Sequence, residues 1–140
     1  MSMRLAAVLM CALLAGCSSS EVGFGTPVQP SPGAFPGHRE TITGAVEVQG
    51  NGCIDLDLGA QGRRWIVWPE GTTTGGDGAD IIVDDHAVTG ADTLTGTGAL
   101  ATASVLPGWE SEDSYFGGFG RFCSADDLGI VVFDDVAVAS

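Results

Sequence analysis

The chain has 140 residues, 18 of them Asp or Glu against only 5 Arg and no Lys, for a formal charge of −13 at neutral pH. So negative a surface repels phosphate backbones, and no basic stripe exists to displace counterions, which argues against nucleic acid as a partner. The length suits one domain with a short tail.

In chain order, Arg4 carries the only positive side chain of an opening segment in which Leu5 to Ala15 is apolar and uncharged. At roughly 10 residues this run fits the apolar core of an export signal and falls well short of the ~20 residues of a spanning helix. It ends in Leu14-Ala15-Gly16-Cys17, followed at once by Ser18, Ser19 and Ser20. This tetrapeptide resembles the bacterial lipobox. The resemblance implies that the Cys17 thiol takes a diacylglyceryl group, that the chain is cut before Cys17, and that the new amine is acylated. Residues 1–16 are then a lipoprotein signal peptide, and the protein belongs on the extracytoplasmic face of a bacterial cell membrane, held by acyl chains. Its acidity opposes attachment by charge.

After cleavage Arg39, Arg63, Arg64 and Arg121 remain against every acidic residue. Cys11 leaves with the signal and Cys17 is lipidated, so Cys53 and Cys123 remain as a pair in an oxidising compartment, which predicts a disulfide. The loop it closes, of about 70 residues, corresponds to roughly 4 kcal/mol in the chain-entropy model. Thiolate metal ligation is the competing reading, but neither Cys has a second Cys or His at ligand spacing.

Residues 17–37, with Pro27, Pro30, Pro32 and Pro36 among Ser and Gly, read as a lipidated Cys and a tether. Residues 38–140 read as the domain. Thr41 to Gln49 predicts a strand with Ile42, Val46 and Val48 on one face, and Gly50-Asn51-Gly52 a turn. In the next run Ile54, Leu56 and Leu58 point one way and Cys53, Asp55 and Asp57 the other, core against solvent. Arg63 to Trp68 is a third strand, stopped by Pro69, with Trp65 and Trp68 on opposite faces, one in the core and one at the surface or an interface. Ala79 to Val83 is a further apolar run, ended by Asp84-Asp85. Thr93 to Leu106, rich in Gly, Ala and Thr, suits a long bent strand. Ile130 to Phe133 and Val136 to Val138 close the chain around Asp134-Asp135.

No long stretch has a helical apolar period. The expectation is therefore all-β: a small five- to six-stranded Greek-key barrel, OB-like, or alternatively a two-sheet sandwich. A long bent first strand, a Gly-rich turn, a strand ending in Trp-Pro and a late Cys resemble small OB-like domains of lipoproteins from high-GC Gram-positive bacteria, and that resemblance implies no activity.

Candidate chemistry is sparse. Asp84-Asp85-His86 places at most Asp84 and His86 on one side of a strand, two groups where a site needs more. His38 falls near the tether. Glu112-Asp113, Asp126-Asp127, Asp134-Asp135 and the pair Asp55 and Asp57 offer oxygen ligands for calcium, but the calcium-loop spacing is absent and Asp77-Gly78-Ala79-Asp80 is too sparse. There is no Gly-x-Ser-x-Gly elbow and no phosphate loop. The expectation is no resident cofactor, with calcium as the alternative.

The stretch from Trp109 to Phe122 interleaves aromatic side chains with Gly117, Gly118 and Gly120. Tyr115, Phe116, Phe119 and Arg121 are the candidate contacts for a ligand or partner such as an envelope protein or glycan. The competing reading folds these rings back to cap the barrel over the disulfide. The function expected is a lipid-anchored binding or structural module without catalysis. The alternatives are a calcium-assisted adhesion or cell-wall-binding domain, and a hydrolase.

Overall fold

A computed structural model describes residues 25–76 and 80–139; the signal segment, Cys17 and residues 77–79 lie outside the described residues. Within these, the strands run β1 (Glu40–Val48), β2 (Ile54–Asp57), β3 (Arg63–Val67), β4 (Thr73–Thr74), β5 (Ile81–Val83), β6 (His86–Ala87), β7 (Thr93–Ala101), β8 (Ile130–Phe133) and β9 (Ala137–Val138), with helices α1 (Tyr115–Phe122) and α2 (Ala125–Leu128) between β7 and β8.

Five of these strands close a barrel. Neighbours run β1-β2-β3-β8-β7, and β7 returns to β1 in an antiparallel ladder from Glu40 opposite Gly98 to Ala45 opposite Thr93. All the pairings are antiparallel except β3 with β8, which is parallel, from Trp65 opposite Ile130 to Val67 opposite Val132. Counted in chain order, the barrel strands therefore stand 1-2-3-5-4, a small OB-like barrel. The ladder between β1 and β7 rules out the open two-sheet sandwich. After Asp134 and Asp135 the chain rejoins β7 as β9, with Leu94 opposite Val138.

The period-2 alternation of β1 turns Ile42, Gly44 and Val46 inward and leaves Thr41, Thr43 and Ala45 exposed. Val48, expected on the inner face, pairs with Ile54 beyond the last β1–β7 pair and is 51 % exposed. Inward residues of the five strands, with Ile81, Val83 and Val88 of the β5–β6 hairpin, form one core cluster. The Asp84-Asp85 turn of that hairpin holds both residues at positive φ, 49° and 63°, as a tight two-residue hairpin turn requires.

A second core lies outside the barrel wall. Trp65 and Val67 of β3 and Ile130 and Val132 of β8 face outward and are covered by Phe119, Leu106, Phe35 and the pair Cys53 and Cys123. Strands buried on both faces read as unbroken apolar runs. For this reason Trp65 and Trp68, both 1 % exposed, point to opposite faces as expected but into two separate cores, and neither lies at the surface.

The tether is also shorter than expected. Residues 25–37 pack on the barrel: Val28 bridges to Trp68, Gln29 is fully buried, and Phe35 enters the outer core. The Gln29 amide donates to the Phe133 carbonyl at 2.6 Å and to Asp134 Oδ1 at 2.8 Å. Proline-rich composition concealed a segment anchored by one buried amide and one buried ring.

Candidate functional site

The glycine-rich aromatic stretch, which shows no long helical apolar period, contains the helix α1. Eight residues with three glycines have poor intrinsic helix propensity, each Gly costing about 1 kcal/mol relative to Ala. Capping and packing outweigh that cost. Ser114 is the N-cap, its Oγ accepting from the Gly117 amide at 2.9 Å and lying 2.6 and 2.8 Å from the carbonyl oxygens of Gly108 and Ser111. Glycine is required for space as well: a Cβ on Gly117 would collide with the Ser111 carbonyl, and one on Gly120 would lie 2.6 Å from the Trp109 ring. At its C-terminal end Cys123 caps the helix and forms the disulfide to Cys53 at the start of β2, the two Cα atoms 5.6 Å apart.

The four predicted contact residues separate into different roles. Phe119 is buried against Trp65, ring centroids 5.1 Å apart. Phe116 is half-buried edge-on to Phe35 at 5.5 Å. Arg121 is turned into the protein: its Nη1 donates to the carbonyls of Trp109 at 2.7 Å and Gly117 at 3.0 Å, and its guanidinium lies 4.2 Å from the centre of the Trp109 ring. That stacking and both bonds make Arg121 a brace for the segment ahead of α1. Tyr115 alone of the four is solvent-exposed, at 46 %, its ring edge-on to Phe116 and Phe119. Burial pushes its hydroxyl pKa upward.

The rings therefore cover the outer wall of β3 and β8 beside the disulfide; they do not close an open end of the barrel. Helical geometry adds a residue that the sequence reading left out of the site. Phe122, 49 % exposed, stands seven positions after Tyr115 and so on the same face of α1. Beside the helix, Leu106, Gly108, Trp109, Glu110 and Ser111 line an open cleft of about 340 Å³ with Ser104.

The first described residue, Gly25, meets this face. A Cβ on Gly25 would stand 3.5 Å from the Tyr115 hydroxyl. The described chain thus begins beside the Tyr115 hydroxyl, and its next residue reaches β4, Thr26 Oγ1 lying 2.7 Å from Thr74 Oγ1.

Asp134, Asp135 and Asp92 are occupied by structural partners. Asp134 accepts from Arg39 Nε and Nη2 at 3.0 Å each, from Gln29 and from the Gly33 amide, and the Arg39 bond leads the interactions that hold its pKa down at about 2. Asp135 accepts from the Thr97 amide at 3.0 Å. With Glu70 and Asp84 these two line a cleft of about 250 Å³ under the β5–β6 hairpin. The carboxylate that meets His86 is Asp92, at 3.0 Å, and not Asp84; Asp92 is held low first by the Thr89 amide. Among the described residues no group of three His, Cys, Asp or Glu side chains is placed to hold a metal ion.

Asp55 departs most from its expected place. The alternation of β2 predicts a solvent-facing Asp55, yet that face lies against the outer core, and Asp55 is 1 % exposed. Its Oδ2 pairs with Arg63 Nε at 3.0 Å, while among the described residues its buried Oδ1 has no hydrogen-bond partner. Burial raises its pKa to about 6, with Arg63 opposing.

No protein-family model, no curated protein and no solved structure matches this chain.

Proposed function

We propose that the chain is a bacterial lipoprotein: an OB-like domain carried on the extracytoplasmic face of the membrane by acyl groups on Cys17, acting as a binding or structural module and not as a catalyst. One observation carries this reading, the apolar run closed by Leu14-Ala15-Gly16-Cys17 and followed by serines. The Cys53–Cys123 disulfide accords with an oxidising compartment. The occupied state of Asp134, Asp135, Asp92 and Arg121 accords with a module whose polar groups stabilise its own fold.

The test is expression of the full chain in a bacterium that processes lipoproteins, followed by detergent phase partition and mass measurement of the N-terminal peptide. The expected result is a peptide beginning at Cys17 with two or three acyl chains, in the detergent phase. Cys17→Ala should move the protein to the aqueous phase. An unacylated peptide from the parent chain overturns the reading.

A further inference from the structure

Resting on the lipid-anchor reading, we propose that the α1 face bearing Tyr115 and Phe122 docks on the bilayer surface that holds Cys17. The argument begins with the length of chain outside the described domain and where it ends. Eight residue steps separate Cys17 from Gly25, a span of at most about 28 Å. The domain end of that span, Gly25, lies against the Tyr115 hydroxyl.

A domain of this size has a radius of gyration of about 13 Å, hence a diameter near 34 Å and a half-circumference of about 54 Å if spherical. Eight residues cannot pass around it. The β1 wall is not adjacent to β3 and β8, the strands that α1 covers, so it stands across the barrel from α1. It cannot be laid on the membrane by this tether, whereas the α1 face can.

The chemistry of that face fits the headgroup boundary. Tyr115 and Phe122 are two of the three large exposed apolar side chains of the described residues, and they share one helical face. A phenol with an apolar body and a polar tip is characteristic of membrane interfaces. Two rings are a weak contact by themselves, but a tether this short places them at an effective concentration near the millimolar range, where weak contacts are populated. Arg121 is engaged by Trp109 and Gly117, while Glu110, Glu112, Asp113, Asp126 and Asp127 flank α1 in sequence. Docking is therefore by rings without charge attraction, and it favours zwitterionic over anionic lipid.

Residues 17–140 contain every core residue described and, with Cys53 and Cys123 bridged, one free thiol, Cys17. Coupling that thiol to a maleimide-bearing phosphatidylethanolamine supplies the anchor whether or not the host acylates Cys17, and mass measurement verifies it. A reporter Phe122→Trp, with Tyr115→Trp as a second in case the first does not fold, is compared with Thr43→Trp on the exposed side of β1 in phosphatidylcholine vesicles with brominated acyl chains. The parent protein gives the background of its own tryptophans. Bromine should quench the α1 reporter at least twofold more than the β1 reporter, and the ratio should fall when phosphatidylglycerol is added. A ratio below two with the anchor verified overturns the docking and leaves the lipid-anchor reading intact; a partner other than lipid would then cover the face. An unacylated native chain overturns the anchor reading and the docking that rests on it, whatever the ratio.

Discussion

Arg39, just before β1, grips Asp134, just after β8, through Nε to Oδ2 and Nη2 to Oδ1, both at 3.0 Å. The same carboxylate receives the buried Gln29 amide and the backbone of Gly33. One side chain thus fastens the N-terminal segment to the barrel and fixes where the chain from Cys17 arrives. The Arg39 pair is bidentate and mostly shielded, the geometry in which an ion pair contributes measurably.

Asp134→Ala should lower stability by about 2 to 4 kcal/mol, because it leaves the Gln29 amide and the Arg39 guanidinium without their acceptor. In the parent, the Asp134 pKa is depressed from 3.8 to about 2, so its contribution is present above pH 4 and lost as pH falls from about 4 to about 2. Urea unfolding across that range measures both effects, and Asp134→Ala should lack this acid-dependent loss.

Asp55 has the opposite sign. Its folded pKa of about 6 lies above its ordinary value, so the folded state holds the proton more tightly. Stability is greatest from this group below pH 4 and declines as pH rises through about 6. The decline should be about 1 to 3 kcal/mol between pH 4 and pH 7. Asp55→Asn should flatten this slope in urea midpoints taken at half-unit intervals, while Arg63 keeps Glu47 at 3.6 Å as its remaining partner.

Removing the disulfide with Cys53→Ser and Cys123→Ser should cost about 2 to 4 kcal/mol. The bridge joins the end of α1 to β2, and α1 has too little propensity to stand alone. Amide exchange of Gly118 to Cys123 should accelerate more than that of β7. Uniform acceleration across both would show that the bridge does not act through α1.

Gly96→Ala should destabilise by about 1 to 3 kcal/mol, since the added methyl would collide with the Asp135 carbonyl where the chain passes from β8 to β9. Gly90→Ala, where a Cβ meets nothing within 4 Å, should change stability by no more than about 0.5 kcal/mol. Thermal unfolding of the two variants provides the comparison.

Four of the five barrel strands were legible from their own signals, alternation in β1 and β2 and apolar runs in β3 and β8, with turn residues between them, while β7 ends at Ala101, short of the expected Leu106. The pairing of Cys53 with Cys123 followed from counting thiols. These properties are local, set by side-chain period, backbone preference and composition. What needed the third dimension was every decision made by a surface distant in sequence. Gly117 and Gly120 look like loop residues until Ser111 and Trp109 occupy the space a side chain would take, and only then does the stretch become a helix that aligns Tyr115 with Phe122. Asp55 alternates as a solvent residue, yet its face of β2 lies against the outer core. Phe35 and Gln29 sit among prolines that read as tether, and the outer core and Asp134 draw them onto the barrel. Burial between distant segments is a property of the pair, and neither segment carries it alone.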